Sequence, residues 1–144
     1  MAVTIEEYHR FTEHLGDAFA FSSNDIRLAL LSNAYTPDFD AHEAWDDVSA
    51  SEITGTGYLA DGEALTSKTA TFDAASDWTT YDAADTVWAV ASFTARYAVL
   101  YNNSPAADAD KKLILLVDFG QDESPSVENF TIAWSADGVF RLRA

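Results

Sequence analysis

The chain contains no cysteine. Disulfides and thiolate metal sites are therefore excluded, and the lack assigns no redox compartment. Cations are scarce: eight Lys and Arg stand against 24 Asp and Glu, for a net charge of -16. A nucleic-acid backbone would be repelled by such a surface, so no nucleic-acid partner is expected. Long apolar runs are lacking as well. The longest aliphatic run, Leu113–Val117, falls far below the ~20 residues of a membrane-spanning helix, and no membrane insertion is expected. The opening MAVTIEEYHR shows no signal-peptide pattern. No GxSxG elbow and no phosphate-cradling glycine loop occurs. With no thiol and no placed histidine partner for the serines, no enzyme is expected. A glycosidase-type carboxylate pair carries no signal here, because 24 acids always contain some pair.

What is present is a chain with a real core. Hydrophobic residues make up 48% and aromatics 13% of 144 residues, too rich for disorder. That length predicts a single domain over 1–144, able to bury roughly 70% of its unfolded surface. The acidic surface penalises the compact state at low salt. The Debye length falls from ~8 Å at physiological salt to ~3 Å at 1 M, so salt relieves the repulsion. Scarce lysine with abundant Asp, Ala and Thr resembles the proteins of halophiles; an acidic mesophilic protein is the alternative.

Along the chain, Ile5, Tyr8, Phe11, Thr12 and Leu15 recur at helical spacing before Gly16, which predicts an N-terminal helix over 5–15. Strand patterns follow. DIRLALLS (25–32), LTSKTATFD (65–73), FTARYAVLY (93–101) and NFTIAWS (129–135) alternate or are rich in β-formers. KLILLVDF (112–119) is apolar on both faces and predicts an interior strand. Asp61-Gly62 and Asp137-Gly138 are hairpin-turn dipeptides. TFDAA (71–75) and TYDAA (80–84) predict two similar strand exits, with Asp73 and Asp82 capping turns. NNSPAADAD (102–110) is a polar, exposed loop. The fold class that follows is mainly β: a β-sandwich or jelly-roll-like domain over 22–144, preceded by an N-terminal docking segment, 1–21.

The stretch TPDFDAHEAWDDV (36–48) concentrates carboxylates and a histidine. Ala41, Ala44, Trp45 and Val48 form an apolar stripe, so a short helical turn over 41–48 is predicted, with Asp40 as N-cap and Glu43 closing a capping box. Neither the EF-hand nor the HExxH pattern is met. One weak Ca²⁺ site using Asp38, Asp40 and a neighbour stays open; otherwise no metal and no cofactor is expected. His9 and His14 do not share a helix face and are expected at the surface or an interface. The N-x-S/T matches at Asn102 and Asn129 are expected by chance. Trp134 is expected in the core. Trp78 and Trp88 flank the irregular middle and are expected as exposed contacts. Candidate interface residues are thus Tyr8, Phe11 and Leu15 on the N-terminal segment, with Trp78 and Trp88.

Taken in order, DIRLALLSNAYTPDFDAHEAWDDVSASEITGTGY, LTSKTATFDAA, ARYAVLYN, LILLVDFG and FTIAWSADGVFRL resemble a family of small structural proteins of tailed viruses. The similarity runs from about Asp25 to Leu142. It rests on Tyr35, Pro37, Asp40, His42, Trp45, Glu52, Gly55, Gly57, Tyr58, Arg96, Asp118 and their neighbours. It implies a virion component, assembled in the host cytoplasm, whose partners are further copies of itself and the major capsid or other virion proteins. With the acidic composition, a tailed virus of a haloarchaeon or other halophile is expected. A capsid decoration, turret or fibre-base protein forming a symmetric homo-oligomer is the first expectation. A tail-tip adhesion protein and a cellular carbohydrate-binding module of a halophile are the alternatives.

Overall fold

A computed structural model of the chain describes residues 2–16 and 19–143; Met1, Asp17, Ala18 and Ala144 lie outside the described residues. Among these, the elements run β1 (Thr4–Glu7), α1 (Phe11–His14), β2 (Ile26–Leu31), α2 (Trp45–Val48), β3 (Glu63–Ala64), β4 (Thr69–Asp73), β5 (Trp78–Asp82), β6 (Thr86–Ser92), β7 (Ala95–Asn102), β8 (Leu113–Glu123), β9 (Ser126–Ile132) and β10 (Phe140–Arg143). They form a five-stranded sheet, β1-β8-β7-β2-β3, a three-stranded sheet, β10-β5-β4, and a two-stranded sheet, β6-β9. All pairings are antiparallel. The protein is mainly β, with a sandwich-like layering of sheets.

The five-stranded sheet has a core on each face. Leu28, Leu100 and Leu115 lie in register, as do Leu30, Ala98 and Val117. They join Trp88, Phe93, Ile132, Phe140 and others in the larger core, closed by the two smaller sheets. The intervening residues Ala29, Leu31, Tyr97, Val99, Tyr101, Leu113 and Leu116 point the other way. They pack with Tyr8, Tyr35, Trp45 and Val48 in a second core. Period-two alternation sends successive side chains to opposite faces, so a strand that is apolar throughout needs cover on both. The double cover explains the unbroken apolar stretches of this sheet, Leu28–Leu31 of β2, Tyr97–Tyr101 of β7 and Leu113–Val117 of β8. As expected from KLILLVDF, β8 is an interior strand between β1 and β7.

The N-terminal segment corrects the predicted helix over 5–15. Thr4–Glu7 is a strand paired with β8, from Thr4↔Asp118 to Glu7↔Leu115, and only Phe11–His14 is helical. An isolated helix of this length is marginal in water, whereas the flank of β8 offers a row of backbone partners. Tyr8 and Phe11, predicted on one helix face, enter opposite cores. Residues 4–14 are therefore built into the sandwich, which is not confined to 22–144.

The Asp137-Gly138 turn forms, with Gly138 N–H donating to Ser135 O at 2.9 Å, but its flanks do not make a hairpin. β9 stays with β6, while β10 crosses to β5. Likewise Asp61-Gly62 turns the chain, yet the strand after it, β3, pairs with β2. The two similar pentapeptides lie across from each other in the β4–β5 hairpin, with Thr71 opposite Thr80. Asp73 caps its turn as expected, accepting from Ala75 N at 3.0 Å and Ser76 Oγ at 2.8 Å.

Candidate functional site

The acidic stretch 36–48 lies over the second core. Its helix begins at Trp45, four residues later than predicted, because residues 43–45 are drawn out against the start of β8. Trp45 N–H donates to Lys111 O and Leu113 N–H to Glu43 O, both at 2.9 Å, and Ala44 is extended. Asp40 therefore caps nothing. The capping carboxylate is Asp47, whose Oδ2 accepts from Glu43 N at 2.9 Å and Ala44 N at 3.0 Å. Burial alone would raise the Asp47 pKa. The two N–H donors, with His42 and Lys112 nearby, outweigh that and hold it below the ordinary Asp value. The Trp45 indole, 2% exposed, stacks on Tyr101 at 4.4 Å and 8°.

Beneath the stretch runs a chain of hydroxyls. Tyr8 Oη and Tyr35 Oη lie 2.8 Å apart, and Tyr35 Oη is 2.8 Å from His42 Nδ1. Burial pushes both phenols above their ordinary value, reinforced at Tyr8 by the neighbouring Tyr35. They remain neutral hydrogen-bonding groups that tie β1 to the 35–48 segment.

The Asp38 and Asp40 carboxylates, left open as a weak Ca²⁺ site, do not converge. Asp38 Oδ1 accepts from Asp40 N at 3.2 Å and Ala41 N at 3.0 Å, an Asx turn. Asp40 Oδ1 is 2.7 Å from His9 Nδ1, so the two carboxylates serve different partners. Potential ligand atoms converge elsewhere, in Glu13, His14 and Glu43, within 4.8 Å of one another. That cluster already holds cations. Arg10 lies 3.1 Å from Glu13 and 3.2 Å from Glu43, and Lys112 lies 3.9 Å from Glu43. A metal would have to displace them. His14 and Glu43 are distant in sequence, so spacing gave no signal for this grouping. A cavity of about 290 Å³ opens beside it, lined by Phe11, His14, Phe19, Asn102, Lys112 and Ile114 among others.

The expected interface residues separate. Tyr8 and Phe11 are 1% and 2% exposed and are spent inside the chain's own cores. Leu15 packs on the larger core as a partly buried residue. Trp88, expected as an exposed contact, is 1% exposed. Alternation along β6 turns Thr86 and Trp88 inward, and a bulge at Val90 brings Ala91 inward too. Trp78 is half-buried, with Arg141 4.6 Å and Arg143 5.7 Å above its ring. Arg96 and Arg141 pair with carboxylates, Asp118 at 3.1 Å and Asp137 at 2.6 Å.

The GTGY segment (55–58) closes onto β6. Thr56 and Ser92 form a bridge. Gly57 has φ of 82°, and a Cβ there would meet Ala89 O at 2.8 Å, so only glycine fits. Tyr58 Oη donates to Glu52 Oε1 at 2.6 Å and accepts from Leu30 N at 3.1 Å. Asp61 N also donates to Glu52, at 2.7 Å. Partial burial outweighs these bonds and raises the Glu52 pKa. The β6–β9 pair carries two bulges that sequence reasoning missed, at Val90 (φ 51°) and Val127 (φ 53°). Their N–H groups donate to Asn129 Oδ1 and Ser92 Oγ. β-branched residues disfavour positive φ, so nothing in the local sequence marks these positions. Comparison of the chain with family models, curated proteins and solved structures finds no match.

Proposed function

We propose that this chain is a non-enzymatic structural protein of a tailed virus particle, serving as a decoration, turret or fibre-base subunit in a symmetric oligomer. The observation that carries this reading is where the chain's chemically distinctive residues spend their polar groups. Asp47 holds its own backbone, accepting from Glu43 N and Ala44 N. Tyr35 and His42 bond to each other, Glu52 bonds to Tyr58, and Arg96 bonds to Asp118. Trp45 and Gly57 are packing positions. These are the residues on which the resemblance to tailed-virus structural proteins rests, and a shared framework is what such a resemblance would preserve. The net charge of -16 fits a protein that works in high salt.

The test is to raise antibodies against the purified chain and label purified virus particles. Label on the particle head, with a copy number by quantitative mass spectrometry that matches a symmetric array, supports the proposal. Absence from purified particles overturns it. Label confined to the tail tip moves the protein to the adhesion role.

A further inference from the structure

We propose that β4 is a self-association edge, on which a second copy adds its own β4 antiparallel about a two-fold axis. The three-stranded sheets would then join as β10-β5-β4-β4-β5-β10. This rests on the reading of the chain as a homo-oligomer subunit and names its interface.

Edge strands display unpaired N–H and C=O groups, and proteins block them with charge, proline, bulges or shortness. The other edges here are blocked. β1 carries exposed Glu6 and Glu7, and β3 is two residues long with Glu63. β10 carries Arg141 and Arg143. β9 carries Glu128 and the Val127 bulge, and β6 is bulged at Val90 and bridged by Thr56. β4 carries a single charge, Asp73 at its last position, and neither a bulge nor a proline. Thr69–Phe72 reads TATF, without charge or proline. Thr69 to Asp73 pairs residue for residue with β5, and all five residues are exposed. Among the described residues, β4 has β5 as its one strand neighbour.

Charge selects a second copy as the occupant. Two chains of net charge -16 repel over most of their surfaces, and an edge uncharged from Thr69 to Phe72 lowers that penalty. The residues flanking the neutral run, Lys68 and Asp73, have opposite signs. Antiparallel pairing about a two-fold sets the Lys68 end of each copy beside the Asp73 end of the other. The apolar face also calls for cover. Phe72 shares a face with Leu142 through Thr79, and Ala70 shares it with Tyr81 and Phe140. On β5 and β10 that face meets the larger core, but at β4 it overhangs, leaving Phe72 58% exposed. A two-fold axis normal to the sheet keeps both copies' apolar faces on one side, bringing Phe72 next to the partner's β4.

The absence of cysteine gives a direct test. Directly opposed residues of an antiparallel pair lie ~4.5–5.5 Å apart at Cα, within disulfide range. Because Ala70 and Thr71 lie at the middle of the strand, Ala70→Cys or Thr71→Cys, whichever sits on the axis, should crosslink rapidly on oxidation. A Val127→Cys control should not. Sedimentation of the unmodified chain in dilute buffer and in molar KCl should show a dimer. Thr71→Lys should raise its Kd by about tenfold or more with the thermal melt retained. A monomer under all conditions overturns both this interface and the homo-oligomer reading. An oligomer unaffected by Thr71→Lys and not crosslinked at 70 or 71 overturns the interface alone. Protection of β4 amides that appears only on adding another virion protein gives the edge to a foreign strand and also overturns the proposal.

Discussion

Replacing Trp45 with alanine tests whether the acidic stretch is an anchor or an exposed site. Trp45 is 2% exposed and stacked on Tyr101 at 4.4 Å, in a core that also holds Tyr8, Tyr35 and Val48. Its removal leaves a large cavity on one face of the central sheet. Truncations of this kind cost about 3–5 kcal/mol. With an unfolding entropy of about 0.3 kcal/mol per degree for a chain this long, the melting temperature should fall by about 10–16 °C. The control is Trp78→Ala. Trp78 is half-buried under Arg141 and Arg143, and its loss should cost only about 1 kcal/mol, near 3 °C. Thermal melts of both variants, followed by near-ultraviolet circular dichroism in molar KCl, decide the matter. A Trp45→Ala protein melting within a few degrees of the parent would refute the assignment of this stretch as structural cover. It would reopen the stretch as a binding surface.

Further outcomes can be measured on the same protein. Asp47→Ala removes the acceptor of Glu43 N and Ala44 N and should cost about 1 kcal/mol by chemical denaturation at pH 7. Since the Asp47 pKa is lowered by folding, its contribution is present above the ordinary Asp value and fades as pH drops through the folded value; the two proteins should converge at low pH. Glu52 has the opposite sign. Its pKa is raised, so folding favours the protonated form, and that contribution is lost as pH rises through the folded value. Glu52→Gln keeps an acceptor for Tyr58 and Asp61 without the buried charge. It should be at least as stable as the parent at pH 7 and lose any advantage in acid; a marked loss at pH 7 would contradict the burial argument. Gly57→Ala forces a Cβ onto Ala89 O at φ 82° and should cost at least about 1–2 kcal/mol. Finally, the melting temperature should rise from dilute buffer to molar KCl, and a salt-independent melt would refute the charge-repulsion account.

The central sheet was legible in the sequence because Leu28–Leu31, Tyr97–Tyr101 and Leu113–Val117 are unbroken apolar stretches of β2, β7 and β8. Such runs report burial on two faces, though not what supplies the cover. What spacing missed was set by distant partners. Residues 5–15 have a helical period, but the flank of β8 takes Thr4–Glu7 as a strand. Ala41–Val48 has an amphipathic stripe, but Lys111 and Leu113 draw residues 43–45 into extended pairing. Trp88 looked exposed because bulges at Val90 and Val127 disguise the alternation around it. In each case a long-range backbone bond outweighed a local preference, which is the usual result where propensities differ by less than a hydrogen bond is worth.

The same competition explains why so many carboxylates gather between Asp38 and Asp47. The second core must be closed by a segment that is pinned to β8 at its middle and so cannot be helical throughout. A non-helical segment over an apolar core leaves backbone N–H groups without helix partners, and each must find an acceptor. Asp38 supplies one for Asp40 and Ala41, and Asp47 supplies one for Glu43 and Ala44. Glu43 collects Arg10 and Lys112, and Asp40 takes His9. Four of the five carboxylates thus stitch the cover to itself, to the N-terminal segment and to β8. Neutralising them one at a time should loosen this layer while leaving the larger core intact. Hydrogen exchange would show the difference as faster exchange at Trp45 and Leu113, with Leu28 and Leu100 unchanged.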